Sequence, residues 1–241
     1  MTTRSGGVSQ GVYSSFNLGD HVDDDPVAVA ANRATLRRLL PDDPCWLKQV
    51  HGVVAIEAGR VSGVPEADAV LSRKPGTVCA VLTADCLPVL FCDREGTVVA
   101  VAHAGWRGLA GGVLEATVAA MGVSPNEVMA WMGAAIGPHA FEVGDEVHET
   151  FICQHSETAK AFVPLTLHTL QGAHASRLPN KWLADIYTLA RIRMNAIGVQ
   201  QVYGGGLCTY RDSARFFSYR RDGVTGRMAS LIWLEQGRIR V

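Results

Sequence analysis

The sequence has almost no net charge, no long apolar run and no paired cysteines. Twenty-two Lys and Arg stand against 23 Asp and Glu, a formal net charge of −1, which argues against a nucleic-acid or anionic-membrane partner. No apolar run approaches the roughly 18 residues that a membrane-spanning helix needs. The opening residues Met1-Thr2-Thr3-Arg4-Ser5-Gly6-Gly7 are polar, with no apolar core of a signal peptide. The six cysteines (45, 79, 86, 92, 153 and 208) include no CxxC pair, the usage of a reduced, cytoplasmic chain rather than of a disulfide scaffold. No internal repeat or low-complexity linker divides the chain.

What is present is a globular composition. Of 241 residues, 48% are apolar and 19% charged, enough to bury a sizeable core. Two Val-rich runs, 78 to 91 and 98 to 103, read as buried strands joined by the polar turn Asp93-Arg94-Glu95-Gly96. Pro88 suggests an edge or bend there. Asp23-Asp24-Asp25-Pro26 opens a helix with Val29, Leu36, Leu39 and Leu40 on its apolar face, stopped by Pro41. Further strands are expected at 46 to 52, 67 to 71, 128 to 136, 200 to 203, 215 to 219 and 228 to 234. Helices are expected at 113 to 121, from Gly144-Asp145 to about 154, and at 183 to 196 with Gly198 beyond its end. The polar stretch 156 to 180 reads as an irregular, mobile surface segment. The whole is a mixed α/β (α+β) domain, residues 1–241, with sheets inside and helices outside.

The chemistry-bearing residues sit at strand ends. The first run stops at Thr83-Ala84-Asp85-Cys86 and the second at His103. A thiolate and an imidazole at neighbouring strand ends are two metal ligands or a Cys/His nucleophile pair; the plainer alternative is a small buried apolar residue beside a satisfied core histidine. His51, closing the segment 46 to 52, joins them as a third residue of that kind, and Asp68 is placed to support them. His139 is a weaker ligand candidate, and His148 and His155 are expected to face solvent. Residues 105 to 112 read as a Gly-rich strand-to-helix loop that lets an anion approach, with Arg107 supplying a fork of donors.

The stretches Thr3-Arg4 with Gly6-Gly7-Val8-Ser9, Ser15-Phe16-Asn17-Leu18-Gly19 and Asp24-Asp25-Pro26 open a pattern continued by Lys48-Gln49-Val50-His51-Gly52 and Thr83-Ala84-Asp85-Cys86-Leu87-Pro88-Val89. Ala102-His103-Ala104-Gly105-Trp106-Arg107-Gly108 follows, then Ile136-Gly137-Pro138, Phe141-Glu142-Val143-Gly144, Asp185-Ile186, Cys208-Thr209 and Phe216-Phe217-Ser218-Tyr219-Arg220-Arg221-Asp222. In that order the chain resembles the YfiH family, also called the laccase-domain or multicopper polyphenol oxidase family. The resemblance implies one domain of mixed sheets sandwiched between outer helices, with His51, Cys86 and His103 as the metal and catalytic centre. It implies zinc, or copper, as the cofactor. It also implies phosphorolysis of adenosine, inosine and methylthioadenosine, deamination of adenosine, and oxidation of phenols as a second activity; some members are linked instead to editing peptidoglycan precursors. Members usually carry a short segment ahead of Thr2-Thr3-Arg4, so one sheet edge is expected to be shorter or differently covered here.

Two imidazoles and a thiolate are a normal zinc set with a fourth position left open. Lys48 and Arg107 are the candidates for phosphate, and Asn17, Phe217, Tyr219 and Arg220 for base and ribose; aromatic residues on a strand equally serve a core. A metal-free Cys86/His103 hydrolase is a competing reading, which an Asp85 carboxylate close to the thiol would oppose. A non-enzymatic protein with a structural zinc is another. Eight histidines and no His-Cys-His cluster argue against a four-copper oxidase. The partners expected are small molecules, a purine nucleoside and phosphate, bound by a cytoplasmic monomer.

Overall fold

The computed structural model describes residues 1–60, 63–166 and 177–235. In chain order the elements are α1 (Pro26–Arg37), β1 (Pro44–Cys45), β2 (Ala55–Glu57), β3 (Ala69–Ser72), β4 (Val78–Thr83), β5 (Leu87–Asp93) and β6 (Val99–Ala104). Next come α2 (Trp106–Gly111), α3 (Val113–Met121), β7 (Val128–Met132), β8 (Glu142–Gly144), α4 (Asp145–Gln154), β9 (Phe162–Thr166) and β10 (Arg177–Ala184). The last are α5 (Ile186–Ala196), β11 (Gln201–Gly204), α6 (Tyr219–Asp222) and β12 (Met228–Ile232). They build a six-stranded mixed sheet ordered β11-β7-β5-β6-β3-β2 and two three-stranded sheets, β1-β4-β12 and β8-β10-β9. Among the described residues no helix is long and apolar enough to cross a membrane.

The continuous apolar runs arise because the large sheet is covered on both faces. Side chains alternate along a strand, so Leu71, Phe91, Ala100 and Ala102 pack under α2, α3 and α5. Their neighbours Val70, Leu90 and Val101 meet Cys79 and Val81 of β4. The outer face of β4 and β12, with Leu82, Ala229 and Leu231, is covered in turn by Leu36 of α1 and by Phe16 and Leu18. The result is helix, small sheet, large sheet, helix, which is the expected sandwich. On α3 the buried residues Val113, Leu114, Thr117, Val118 and Met121 line one face, and each apolar one contributes roughly 1.5–3 kcal/mol of transfer free energy.

Several sequence expectations are corrected. Helix α1 ends at Arg37, ahead of Pro41; Leu39 is 77% exposed, while Leu40 packs with Leu36 as expected, its carbonyl accepting from the Arg37 guanidinium at 2.8 Å. The run 78 to 91 is two strands in two sheets, broken at Asp85. Pro88 lies in an interior strand, opposite His103, tolerated at the second residue where the chain has only just entered the ladder. Residues 46 to 52 form no strand beyond a single bridge, Lys48 to Glu66. There the Gln49 side chain replaces a backbone partner, its amide donating to Leu82 O and accepting from Leu82 N, both at 2.8 Å. Residues 215 to 219 are not a strand: Phe216 and Phe217 are buried without pairing in a ladder, and α6 begins at Tyr219.

Residues 105 to 112 are not a loop but helix α2, joined to α3 through Gly112 at φ 101°. Of the expected irregular stretch 156 to 180, residues 167–176 lie outside the described residues, and β9 and β10 pair antiparallel across it. In β9, Phe162 and Leu165 are buried while Val163 is exposed. His148 does not simply face solvent; it stacks on Trp182 with ring centres 3.7 Å apart. Helix α5 follows expectation, with Asp185 capping it through Tyr187 N and Thr188 N.

Candidate metal and substrate site

Three backbone features bring the chemistry together. The first is the break between β4 and β5, where Asp85 takes φ 88° and Cys86 stands at the end of the large sheet. The second is β6, which carries His103 beside it; residues 87 and 104 are register partners, as are 88 and 103. The third is the turn at Val50-His51-Gly52, with His51 at φ 60°. That turn is tied down by the wholly buried Asp68. Asp68 Oδ1 accepts from His51 N at 2.9 Å, and Oδ2 from Gly52 N at 2.7 Å and Val50 N at 3.2 Å. The same carboxylate holds His103 Nδ1 at 2.8 Å, leaving Nε2 of that ring for the site.

The ligand atoms of His51, Cys86 and His103 lie within 4.8 Å of one another. They run from exposed His51 through half-buried Cys86 to buried His103. Cys86 Sγ is 3.8 Å from His51 Nε2, close to the roughly 3.5 Å that separates S and N donors around a tetrahedral zinc. A carboxylate on the far nitrogen of a ligating histidine is the usual support of such a ring. The donor set therefore fits zinc, and its donor types also suit copper.

Electrostatics point the same way. Burial pushes the Cys86 thiol up, but the His103 charge and hydrogen bonds from both rings outweigh it and bring it down to about 6. Burial pushes His103 down, but the Cys86 thiolate and the Asp68 hydrogen bond outweigh that and raise it to about 9. Asp85 does not oppose the thiolate, since its carboxylate is turned toward Thr209, Ser218 and the Arg220 amide.

Helix α2 reaches the site because its glycines permit it. A Cβ on Gly105 would lie 2.7 Å from His51 Cδ2 and 3.0 Å from Cys86 Sγ, and one on Gly108 would lie 2.8 Å from Gly52 O. These glycines serve close packing against the His51 turn, and Trp106–Gly111 form a six-residue helix rather than a loop.

His51, Cys86 and His103 line a cavity of about 530 Å³. Leu82, Ala84, Trp106, Ile136, Phe141 and Ile186 are its apolar lining residues, and Arg107, Arg220 and Arg227 its cationic ones; Tyr219, His21 and Asp85 also line it. Of the expected substrate residues, Arg107, Tyr219 and Arg220 are there. Lys48 is not; it is exposed and paired with Glu66 at 3.1 Å. Asn17 is wholly buried, its amide engaging Gly19, Asp24 and Arg227 N, so it braces the wall rather than lining it. Phe217 is wholly buried in the core. His139 is exposed and outside the ligand group. Arg227 lies outside every motif stretch, and only the folded chain brings it into the lining; Trp106, Ile136, Phe141 and Ile186 do lie in such stretches.

The family model described as multi-copper polyphenol oxidoreductase laccase matches residues 1–235. The chain belongs to that family. A purine nucleoside phosphorylase of Pseudomonas aeruginosa is 57% identical over 235 residues, covering 98% of this chain and 92% of the relative. The Escherichia coli purine nucleoside phosphorylase YfiH is 52% identical over 236 residues, covering 97% and 92%. Among solved structures, a Neisseria meningitidis protein superposes with a TM-score of 0.89 at 52% identity, covering 98% of this chain and 93% of that one. The Bacillus licheniformis protein YfiH does so with 0.85 at 27% identity, covering 97% and 91%.

Proposed function

We propose that this family member is a cytoplasmic, monomeric, single-domain purine nucleoside phosphorylase. On this reading it cleaves adenosine, inosine and methylthioadenosine with phosphate, deaminates adenosine, and oxidises phenols weakly when copper replaces zinc. The carrying observation is the cavity itself, which joins the His51–Cys86–His103 group to an apolar lining and three arginines. A purine nucleoside and a phosphate need that combination: a flat apolar base, a polar sugar and a dianion within one cleft.

In phosphorolysis a phosphate oxygen bonds to C1′ as the C1′–N9 bond breaks and the electron pair leaves with the base. Arg107, Arg220 and Arg227 would hold the dianion in line, and Trp106, Ile136, Phe141 and Ile186 would pack the base and exclude water. Asp68 would fix His103 with Nε2 toward the cleft. His51, Cys86 and His103 would hold the metal ion, which when bound supplies Lewis acidity at the reacting atoms.

A second reading, amide hydrolysis of a cell-wall precursor, is favoured by the low Cys86 thiol pKa and the Cys86–His103–Asp68 arrangement. One experiment separates the two. Wild type and Cys86→Ala, with zinc quantified in each, are incubated with adenosine and phosphate and the products separated. Adenine with ribose 1-phosphate, or inosine, from the wild type and not from the folded variant is the expected result. No turnover by zinc-loaded wild type would sink the nucleoside reading in favour of amide hydrolysis. A variant that loses zinc and unfolds would indicate a structural metal.

A further inference from the structure

Cys86 is preceded by a carboxylate that the chemistry above does not use. Asp85 is 9% exposed and sits at φ 88°, a conformation that a non-glycine residue keeps only where its surroundings over-determine it. Those surroundings come from the far end of the chain. Asp85 Oδ1 accepts from Thr209 Oγ1 at 2.5 Å. Its Oδ2 accepts from Ser218 Oγ at 3.0 Å and from Arg220 N at 2.7 Å. Its own carbonyl accepts from Ile136 N at 2.9 Å.

Each of these partners leads to the cavity wall. Ser218 caps α6 by accepting from Arg221 N, and α6 carries Tyr219 and Arg220 into the lining. The Arg220 guanidinium is then directed by Glu142 O, to which it donates at 2.8 Å, over the Phe141 ring. Helix α6 has four residues, too few to hold itself in place. Tyr219 is 61% exposed, so its contact with Arg227 and the Arg221 bonds to Thr209 O, Tyr210 O and Phe216 O share the placing of α6 with Asp85.

We propose that Asp85 is a positioning residue: its carboxylate brackets α6 to the Cys86 strand end and so sets the distance between the Tyr219–Arg220 wall and the reacting centre. It acts through α6, because both of its carboxylate oxygens are engaged by Thr209, Ser218 and Arg220 N. Losing the bracket frees the wall and weakens substrate binding, while Asp68 still holds His51 and His103. The polarity of the donors defines the control. In Asp85→Asn the amide oxygen can still accept from Arg220 N and Ser218 Oγ, while the NH₂ donates to the Thr209 hydroxyl, which can act as acceptor. Asp85→Ala leaves a methyl group that can do neither.

The inference rests on the nucleoside phosphorylase reading, and the test keeps the two apart. Steady-state phosphorolysis of adenosine is measured with both adenosine and phosphate varied, for wild type, Asp85→Ala, Asp85→Asn and Thr209→Val, with zinc content and melting temperature measured for each. Wild-type turnover is required first; its absence overturns the activity and this inference with it. Asp85→Ala is expected to raise KM by about tenfold or more for at least one substrate, from lost charge-assisted hydrogen bonds, with kcat within about threefold and zinc content unchanged. Asp85→Asn is expected to recover most of that KM. Should Asp85→Ala fail to fold, Thr209→Val, which removes one bond, carries the test with a smaller rise in the same constant. An active wild type whose folded Asp85→Ala or Thr209→Val keeps the wild-type KM, or loses kcat alone, overturns the bracket.

Discussion

Asp68→Asn is the perturbation with the most sharply defined consequence. All four groups around the Asp68 carboxylate are donors: His51 N and His103 Nδ1 at Oδ1, Val50 N and Gly52 N at Oδ2. A carboxylate can accept from all of them; an amide must turn its NH₂ toward one pair. Facing Val50 and Gly52, it loses two bonds to groups that can only donate. Facing His51 and His103, it loses one backbone bond and makes the imidazole accept at Nδ1, which puts the ring proton on Nε2 and removes the lone pair that the site uses. Each hydrogen bond to a charged group is worth about 1.5–3 kcal/mol, so two cost about 3–6 kcal/mol. Set against a total stability of about 5–15 kcal/mol, that lowers the melting temperature by about 10–20 °C. Zinc affinity, or phosphorolysis by the folded fraction, is expected to fall about 10–100-fold. Calorimetry and zinc titration on the purified variant check both. A folded Asp68→Asn protein that melts within a few degrees of wild type and keeps its zinc affinity would refute the reasoning.

Asp93 makes stability depend on pH. Burial pushes its carboxyl up, but bonds from Thr97 Oγ1, Val98 N and Thr97 N outweigh that and hold it below the usual range. Its contribution is therefore present above the unfolded value of about 3.9 and is lost as pH falls through the lower folded value. Denaturant melts of wild type and Asp93→Asn should differ by about 1–3 kcal/mol near pH 7 and converge in acid; a gap that widens as pH falls would contradict this. Arg193 of α5, buried against Glu115 of α3 and Gln154, should cost about 3 kcal/mol on substitution by Met, because a charge is stranded. Urea unfolding should then show Glu115→Leu/Arg193→Met recovering part of that loss, and strict additivity would argue against the pair.

What local sequence made legible follows from the range of the forces involved. Capping and periodicity act within a few residues, so α1, α3, α4 and α5 and the Val-rich strands stand close to where they are expected. The trio His51, Cys86 and His103 was legible for a related reason, since reactive side chains where apolar runs stop are unusual enough to stand out one by one. The misreadings share the opposite cause. Residues 46 to 52 look like a strand and are not, because the Gln49 side chain replaces a ladder partner more than thirty residues away. The glycines of α2 look like a loop because composition does not reveal that the His51 turn presses against them. Asn17 and Phe217 carry motif signal but serve the frame of the cavity rather than its lining.

By itself the sequence determined which residues could do chemistry, that Cys86 and His103 stand at strand ends, and that apolar strands would be buried between helices. These are properties of side-chain type and short-range pattern. Only the tertiary structure decided that the run 78 to 91 divides between two sheets and that Asp68 supports both His51 and His103. It also decided that Asp85 turns its charge away from Cys86 toward the far end of the chain, and that Arg227 joins Arg107 and Arg220 in lining one cavity. Each of those depends on contacts between segments distant in sequence, whose partners are set by how the layers pack and not by any neighbouring residue.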